Sequence, residues 1–498
     1  MKKLYLWAAS LRALLRLGHT LYALTLALSG SMVFLLVRSF SPQTVGKRSK
    51  PQEYLPCFPT ALYDHKQPPN FWTLLNELHT SSRATAHLAS FFPSAAAPST
   101  HATIVPAAYP TLTEFEYRFE ELARTFPQLV TKHVIGVSTA QRPLFAMRVS
   151  DNPGLEEDEP ALLLTALHHA REPAGVFICQ ALMEELLHNY GSSARHTRLV
   201  DSLDIWFVPL VNPEGYEYLM TSQRQFPWWR KSLRDNNSDG KFDPFIDGVD
   251  LNRNYDYNWK EGGEGEYGSW FYRGKSAFSE PETQALRELE TQRNFILGVS
   301  FHSYGEAVLY PWGNFNSAPD ENLILDIAQN YAAHIGRQSG AGKYHVLPLN
   351  GRVGQSSVWR YGETGAMDFI CETGEDYFPA IAVLPRIVAE NVRGANYLFE
   401  RALRSGLSGH VREAETGAPL IAEIVIAGFE SAYVKPRHSH GAFGRFDRLL
   451  LPGTYTVSVR KSGYRTAQFE QVSVNDSTLT YLEVELQREA ARPSSTSH

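Results

Sequence analysis

The stretch that decides the fold is PALLLTALHHAREPAGVFICQALMEELLHNY, residues 160–190. Residues 160–167 form a continuous apolar run of strand length, and residues 175–190 have the length and apolar periodicity of a helix. A wholly apolar strand is typical of a sheet that is buried on both faces. His169 and Glu172, two residues of types that bind metal ions, stand between this strand and this helix.

The same alternation of strand and helix signals continues from residue 105 to 405. Apolar residues at helical spacing occupy 111–126, behind a Thr cap, and 380–403, whereas strand-like segments occupy 133–138, 143–150, 204–211, 295–301 and 367–371. We therefore expect an α/β domain with a mixed, mostly parallel sheet that helices cover on both faces. Ligands of such sheets bind beyond the strand ends.

The segments on either side of this domain have different sequence patterns. Short period-2 strands between Gly and Pro turns predict a small all-β sandwich as a separate domain at 406–487. An apolar run at 17–37 predicts a transmembrane helix within residues 1–38, with a cleaved secretory signal as the alternative. Residues 39–104, which contain Pro, Ser and Ala clusters, predict a linker or pro-like segment, and 488–498 predict a disordered tail.

The amino-acid composition excludes some classes of function. A content of 20% charged and 43% hydrophobic residues is that of a folded protein, and a net charge of -6 without long basic runs argues against a nucleic-acid partner. Three cysteines are too few and too scattered for a disulfide framework or a thiolate zinc site. A peptidic substrate is compatible with both observations.

His169 and Glu172 stand three residues apart, so that one turn directs an imidazole and a carboxylate to one point. Such N and O ligands suit Zn²⁺, although this spacing alone often arises by chance. His302, in SFHSYG, follows another predicted strand and can supply a third ligand. A catalytic zinc needs three protein ligands and an open position for water, and strand ends bring distant residues together.

Four more residues complete the pattern. Arg230 lies in WWRKSLR, Asn252 and Arg253 lie in GVDLNRNYDYNW, and Glu372 lies in FICETG at the end of a third predicted strand. Taken singly, each is more often an ordinary surface or packing residue. Their ordered combination with the three metal-binding residues favours an enzyme site.

Residues 109–403 resemble the zinc carboxypeptidases related to pancreatic carboxypeptidase A, and are most similar in motif to the secreted bacterial members. The motifs HAREP, DLNRNYDYNW, YRGKSAFSEPET and FHSYGEAVLYPWG carry the resemblance, together with the segment around Glu372. The resemblance implies a zinc carboxypeptidase fold and one Zn²⁺ per chain, bound by His169, Glu172 and His302.

The resemblance also implies roles for the other residues. Glu372 would be the general base, Arg230 would stabilise the oxyanion, and Asn252 with Arg253 would hold the substrate's C-terminal carboxylate. Asp250 would accept a hydrogen bond from the far nitrogen of a zinc histidine. Further substrate-binding positions fall on Arg171, Ser303, Tyr304 and Ser357.

The sequence departs from the family at the substrate pocket. Asn350 stands where the family has a mobile Tyr that closes over the substrate, and Tyr344 is nearby but offset. Ser357 occupies the position that commonly sets side-chain preference, and it supplies neither an apolar wall nor a carboxylate. Arg352 either favours an acidic terminal residue or faces solvent.

An insertion, DNNSDGKFD, has the spacing of the first part of a calcium loop. The candidate ligands are Asp235, Asn237, Asp239 and Asp243. Ile246 replaces the usual bidentate Glu at the twelfth position, so a Ca²⁺ site and a plain polar turn both remain open.

Together these features predict a metallocarboxypeptidase that acts on peptide or protein C-termini. We expect it to be membrane-anchored with an exported catalytic domain, periplasmic or extracellular, or secreted if the N-terminal segment is cleaved. The 406–487 region resembles the transthyretin-like module of regulatory carboxypeptidases, through LPGTYTVSV and the pair Gly463 and Tyr464. The alternatives are a peptidase or amidase for murein peptides with the same zinc chemistry, and a zinc-free binding protein. The sequence leaves the oligomeric state undetermined.

Overall fold

The computed structural model of the chain describes residues 109–221, 228–312, 317–350 and 353–489. The predicted transmembrane helix, the linker and most of the predicted tail lie outside the described residues. Within these four ranges, no helix is both long and apolar enough to span a membrane.

The centre is an eight-stranded mixed sheet with the strand order β1-β2-β4-β3-β5-β8-β6-β7. Its strands are β1 (Val130–Val137), β2 (Pro143–Val149), β3 (Ala161–Ala166), β4 (Asp204–Val208), β5 (Phe295–His302), β6 (Ala307–Tyr310), β7 (His345–Pro348) and β8 (Met367–Glu372). The four central strands, β4, β3, β5 and β8, run parallel, whereas β1, β2 and β6 join by antiparallel pairing. The predicted mixed sheet is confirmed.

Helices cover both faces of this sheet. They are α1 (Leu112–Thr125), α2 (Ala174–Asn189), α3 (Ala194–Val200), α4 (Pro213–Thr221), α5 (Pro281–Gln292), α6 (Glu321–His334), α7 (Ser356–Trp359) and α8 (Leu384–Ala402). Alternate residues of β3 enter different apolar clusters. Leu162 and Leu164 share one with α2 and α8, whereas Leu163 shares the other with Leu286 of α5 and Trp359 of α7. Burial on both faces explains why β3 is apolar throughout.

The register of the parallel strands positions the site. His302 is the last residue of β5 and is paired with Glu372, the last residue of β8. On the other side, Ala166 at the end of β3 pairs with Phe301. His169 therefore stands just beyond the same edge of the sheet, so that residues distant in sequence meet where the strands end.

After α8 the chain forms six further strands. These are β9 (Gly406–Glu413), β10 (Glu423–Ile426), β11 (Arg445–Leu449), β12 (Gly453–Arg460), β13 (Ala467–Val474) and β14 (Leu479–Leu486). They make two three-stranded sheets, β10-β12-β13 and β11-β9-β14, around an apolar cluster of their own. The short strands match the sequence pattern, while the identity of this part as a separate transthyretin-like domain stays a prediction.

Candidate active site

Three buried side chains meet at the carboxyl edge of the sheet. Nδ1 of His169 lies 2.9 Å from Oε2 of Glu172 and 3.0 Å from Nδ1 of His302. Nδ1 of His302 lies 3.0 Å from the same carboxylate oxygen. The three atoms form a nearly equilateral triangle, although 133 positions separate the two histidines.

This triangle fits a zinc ion. Tetrahedral ligands about 2.1 Å from zinc are separated by about 3.4 Å, slightly more than the spacing seen here. Two imidazole nitrogens and a carboxylate oxygen are also the donor types of catalytic zinc sites. When both Nδ1 atoms are unprotonated, the three atoms present lone pairs to one point, an arrangement that a dication would stabilise.

Asp250 contacts both His169 and Arg230. Its Oδ1 lies 3.1 Å from Nε2 of His169, and its Oδ2 accepts a hydrogen bond of 2.9 Å from Nε of Arg230. Burial alone would raise the pKa of Asp250, but Arg230, Arg253 and His169 hold it well below its usual value. Burial likewise opposes ionisation of Glu172, yet the two histidines keep its pKa well below the ordinary range. Both carboxyl groups are therefore anionic acceptors.

His302 is held by a buried chain of polar groups that the sequence reasoning missed. Its Nε2 lies 3.1 Å from Oγ of Ser300, which lies 3.3 Å from Nδ1 of His168. Nε2 of His168 in turn lies 2.9 Å from the hydroxyl of Tyr255. Burial, followed by the charges of His302 and His169, lowers the pKa of His168 well below its ordinary value, so this ring is neutral. Two features of the sequence could have indicated this chain of polar groups: Ser300, a polar residue within a buried strand, and the adjacent histidines His168 and His169.

Asn252 also contacts His302. Its Nδ2 lies 3.2 Å from Nε2 of His302, and its Oδ1 accepts a hydrogen bond of 2.9 Å from the backbone N–H of Ser356. Asn252 therefore links a metal-binding residue to the start of α7. Its contact with a substrate carboxylate stays a prediction.

Glu372 lies partly exposed at the end of β8, beside His302. Burial lowers the pKa of His302, and the carboxylates of Glu172 and Glu372 act in the opposite direction. The next residue, Thr373, donates its hydroxyl to the carbonyl of His302 at 2.9 Å, and that hydroxyl also lies 2.9 Å from Oγ of Ser303. The backbone N–H of Ser303 donates to Glu172 at 3.1 Å, so this turn orients the ligand carboxylate.

The rim on one side contains two guanidinium groups and an aromatic ring. Cζ of Arg230 lies 5.5 Å from the ring centre of Phe271, and Cζ of Arg253 lies 5.7 Å from it. Arg253 also donates to the backbone carbonyl of Asn252 at 2.6 Å. Phe271 is 42% exposed, and its cation–π contacts with the two guanidiniums hold it at the rim of the site. Phe271 lies in a loop without periodicity, and sequence reasoning missed it.

A second rim is built around Tyr377. Arg171 donates to the hydroxyl of Tyr377 at 3.0 Å and to the carbonyl of Trp228 at 2.9 Å. The ring of Tyr304, which is 49% exposed, packs edge-on against Tyr377 with 4.8 Å between ring centres. The structure thus brings the predicted residues Arg171 and Tyr304 together through Tyr377, which the sequence analysis did not identify.

The structure fixes Tyr344 in the interior. Its hydroxyl accepts hydrogen bonds from the backbone N–H of Gly374 at 3.0 Å and from Nδ2 of Asn391 at 3.2 Å. Asn350 is exposed, and Arg352 lies outside the described residues. A closing residue therefore remains unassigned.

Ser357 is fully buried in α7. Its hydroxyl donates to Asp368, whose other oxygen accepts from Arg360, and Arg360 donates twice to Glu290 at 2.7 and 3.0 Å. The residue belongs to a buried charged network beneath the site. Its influence on substrate preference stays a prediction.

The calcium hypothesis gains no support. Asp235 accepts backbone N–H groups of Ser238 and Gly240, at 2.7 and 2.8 Å. Asn237, Asp239 and Asp243 likewise accept N–H groups two residues further on. These side chains stabilise turns of their own loop. Among the described residues, the groups of three or more metal-ligand side chains are the zinc triangle and a cluster of Asp151, Glu157 and Glu159.

Comparison with known proteins identifies the class. The sequence profile of the family described as zinc carboxypeptidase, Peptidase_M14, matches residues 116–394, and the chain belongs to this family. It is 29% identical over 265 residues to carboxypeptidase O of Bos taurus, covering 52% of this chain and 65% of that one. It is 31% identical over 275 residues to carboxypeptidase A2 of Mus musculus, covering 54% and 61%.

A longer alignment, of 401 residues at 26% identity, pairs 74% of this chain with 26% of carboxypeptidase D of Mus musculus. In each of these three relatives the match spans less than two thirds of the relative's length. The crystal structure of the carboxypeptidase A from Helicoverpa armigera superposes with a TM-score of 0.55 at 22% identity, over 65% of this chain and 79% of that one. This superposition shows a shared fold.

Proposed function

We propose that the chain is a zinc metallocarboxypeptidase that hydrolyses the last peptide bond of peptides or proteins. The observation that carries the proposal is the triangle of metal-binding atoms of His169, Glu172 and His302. Arg230 and Arg253 stand at the same opening, with their Cζ atoms 5.5 and 5.7 Å from the ring centre of Phe271. Membership of the zinc carboxypeptidase family supports the same activity.

Each side chain of the site has its own role in the proposed reaction. When bound, zinc would polarise the scissile carbonyl and make a water molecule acidic. Glu372, which lies beside His302, would take a proton from water and return it to the leaving amine. Arg230, whose Nε donates to Asp250, would stabilise negative charge on the carbonyl oxygen.

Recognition of the substrate's C-terminus would involve Arg253 and Asn252. If Nδ1 of His302 binds a metal, its Nε2 carries the proton and donates to Ser300. The N–H groups of Asn252 then have no acceptor on His302 and are left to donate to a substrate carboxylate. Arg253 adds a guanidinium that can pair with both oxygens of that carboxylate.

The test is the Glu372→Gln variant, because the amide keeps the shape of the carboxylate and cannot take a proton. We expect kcat for release of C-terminal residues from a peptide library to fall by about 10²- to 10⁴-fold, with zinc content unchanged. Mass spectrometry of the products measures the release. Glu375→Gln is the matched control, since Glu375 is an exposed residue on the same turn.

Three outcomes would contradict the proposal: purified protein without stoichiometric zinc, an unchanged rate in Glu372→Gln, or equal cleavage of peptides whose C-terminus is amidated. Parallel assays with muropeptides separate the two substrate classes, since release from those alone would favour the murein alternative.

We also propose that the enzyme is held at a membrane, with its catalytic part exported. The support is the apolar run at 17–37, preceded by Lys2, Lys3, Arg12 and Arg16. Fractionation of cells expressing the full chain should recover it with membranes, even after a high-salt wash. Recovery of a soluble product that lacks residues 1–37 would favour cleavage instead.

A further inference from the structure

A cavity lies at the opposite edge of the sheet from the metal-binding residues. Its wall includes Ala161, Phe295 and Met367, the first residues of the parallel strands β3, β5 and β8. Residues 437–449, which include β11 of the C-terminal strands, supply another side of the wall. The cavity measures about 70 Å³ as the space open to the centre of a water molecule, several times what one water needs. It can hold a small molecule.

Two guanidinium groups line this cavity without a carboxylate partner. Arg448 is only 8% exposed, and its one described hydrogen bond runs from Nη1 to the carbonyl of Ile424 at 2.7 Å. Arg437 donates from Nη1 to the carbonyls of Tyr361 at 3.4 Å and Lys435 at 3.2 Å. Across the described residues, neither guanidinium has a carboxylate oxygen within 4.0 Å.

Arg448 carries a positive charge that has no close counterion among the described residues. Burial and the neighbouring Arg437 lower the pKa of Arg448 to about 10, which still leaves the side chain charged at neutral pH. Asp320 also lines the cavity, and its carboxylate accepts the hydroxyl of Tyr361. Asp320 and Glu430 oppose this lowering of the pKa, but within the described part of the chain no carboxylate oxygen lies within 4.0 Å of either guanidinium. A buried charge without a close counterion is costly, and an anion bound beside it would remove that cost.

The other carboxylates of the wall have partners elsewhere. Glu156 pairs with Arg293 at 3.3 Å, and Glu157 accepts hydrogen bonds from Ser150 at 2.7 Å and Asn152 at 2.9 Å. Asp204 accepts two hydrogen bonds from Arg148, and Asp447 accepts two from Arg445. Burial and nearby carboxylates raise the pKa of Glu159 to about 8, so it is mostly neutral near pH 7. The unpaired donors of Arg437 and Arg448 are thus left for a ligand.

We propose that this cavity is a binding site for a small oxyanion, of the phosphate or sulfate type, held by Arg437 and Arg448. Each guanidinium carries five N–H donors, and the three hydrogen bonds described for the pair use only part of this capacity. A tetrahedral oxyanion offers acceptors in several directions and can bridge two guanidiniums. Its bound form would tie the C-terminal strands to the central sheet.

The test is thermal unfolding of the full chain with added sodium phosphate or sulfate. Sodium chloride keeps the ionic strength constant, so that general screening does not change. For the unaltered protein we expect a saturable rise in Tm. In Arg448→Met and in Arg437→Gln, the anion concentration needed for half of this rise should increase by about tenfold or more.

Two controls locate the effect. Arg460→Gln, at the exposed end of β12, should behave like the unaltered protein. Arg253→Gln removes the guanidinium at the proposed active site, and it should retain the anion effect. Succinate, tested alongside, shows whether a dicarboxylate serves equally well or whether a tetrahedral anion is preferred.

The proposed anion site does not depend on the proposed hydrolysis, and different results would contradict each of them. A Tm rise that is lost in Arg253→Gln and kept in Arg448→Met would place the anion at the metal site and overturn it. An absent or non-saturable rise would overturn it too. If Arg448→Met unfolds during purification, the Arg437→Gln result decides, supported by calorimetric titration of phosphate.

Discussion

Replacing Ser300 by Ala is expected to weaken zinc binding without touching any metal-binding residue. Ser300 is fully buried in β5, and its hydroxyl lies between Nε2 of His302 and Nδ1 of His168. With zinc on Nδ1 of His302, the Nε2 proton needs an acceptor, which this hydroxyl supplies while it donates onward to the neutral His168. Alanine removes both functions and leaves the imidazole N–H without a partner.

The size of the effect follows from that lost partner. A buried N–H without an acceptor costs about 1–3 kcal/mol, which corresponds to a loss of zinc affinity of about 5- to 150-fold. Removal of groups that orient metal ligands typically costs about 10- to 100-fold. Asn252 offers only partial rescue, because turning its amide to accept from His302 would sacrifice the hydrogen bond from the N–H of Ser356.

Thr165 provides a matched control on the neighbouring strand. It is paired with Ser300 across β3 and β5 and is equally buried. Its hydroxyl has no hydrogen-bond partner among the described residues. Thr165→Val should therefore leave zinc affinity unchanged and leave stability unchanged or slightly higher, since a buried unpaired hydroxyl is removed.

Competition with a chromophoric chelator near neutral pH measures both affinities. Circular dichroism and urea unfolding establish that Ser300→Ala remains folded, and a His168→Phe variant checks the next link of the chain. Zinc affinity in Ser300→Ala within twofold of the unaltered protein would refute the reasoning. An equal loss in Thr165→Val would refute it as well, because the effect would then come from general disturbance of the sheet.

Three further predictions test other parts of the molecule. Arg253→Gln should raise KM for peptides with a free C-terminus by about tenfold or more, measured by steady-state kinetics, and an unchanged KM would remove Arg253 from carboxylate binding. Arg360→Met should lower the free energy of unfolding in urea by about 3–5 kcal/mol, because Glu290 and Asp368 become buried and unpaired; a loss under 1 kcal/mol would contradict this. Burial alone would lower the pKa of His410, but the carboxylates of Glu483 and Asp158 have a larger effect in the opposite direction. The pKa of His410 is therefore above its ordinary value. The stabilising contribution of protonated His410 is full at pH values below the ordinary histidine pKa and is lost as pH rises through the raised pKa of His410. The difference in stability between the unaltered protein and His410→Gln should therefore shrink as pH rises through the raised pKa.

The parts of the fold that the sequence predicted are those with strong hydrophobic patterns. The run at 160–167 is apolar because β3 is buried on both faces, and the ends of β5 and β8 fall on His302 and Glu372 as expected. Parallel register then brings these ends together, which explains why a cluster of side chains able to bind a metal was predictable from residues 133 positions apart.

Other parts of the site carry no such pattern. Phe271 lies in an irregular segment, and its position close to two guanidiniums depends on how that segment folds back. In the sequence, Ser300 is a small residue in a buried strand like many others. Only the structure shows its contacts with His168 and His302. The spacing of Asp235 and its neighbours equally fits a calcium loop and a set of polar turns, and only the hydrogen bonds distinguish the two.

The two proposed sites lie at opposite ends of β8, and this arrangement separates their effects. Met367 begins the strand at the cavity, Glu372 ends it at the metal site, and β8 pairs with β5 throughout its six residues. Gly365, just before β8, has a φ of +85° and packs against the side chain of Arg437, so the C-terminal strands contact the entrance to this strand. Because the two sites are separated by the length of β8 and share no side chain, losing the cavity anion should lower global stability while leaving zinc affinity unchanged. Ser300→Ala should show the reverse, since its lost hydrogen bonds are at the metal site.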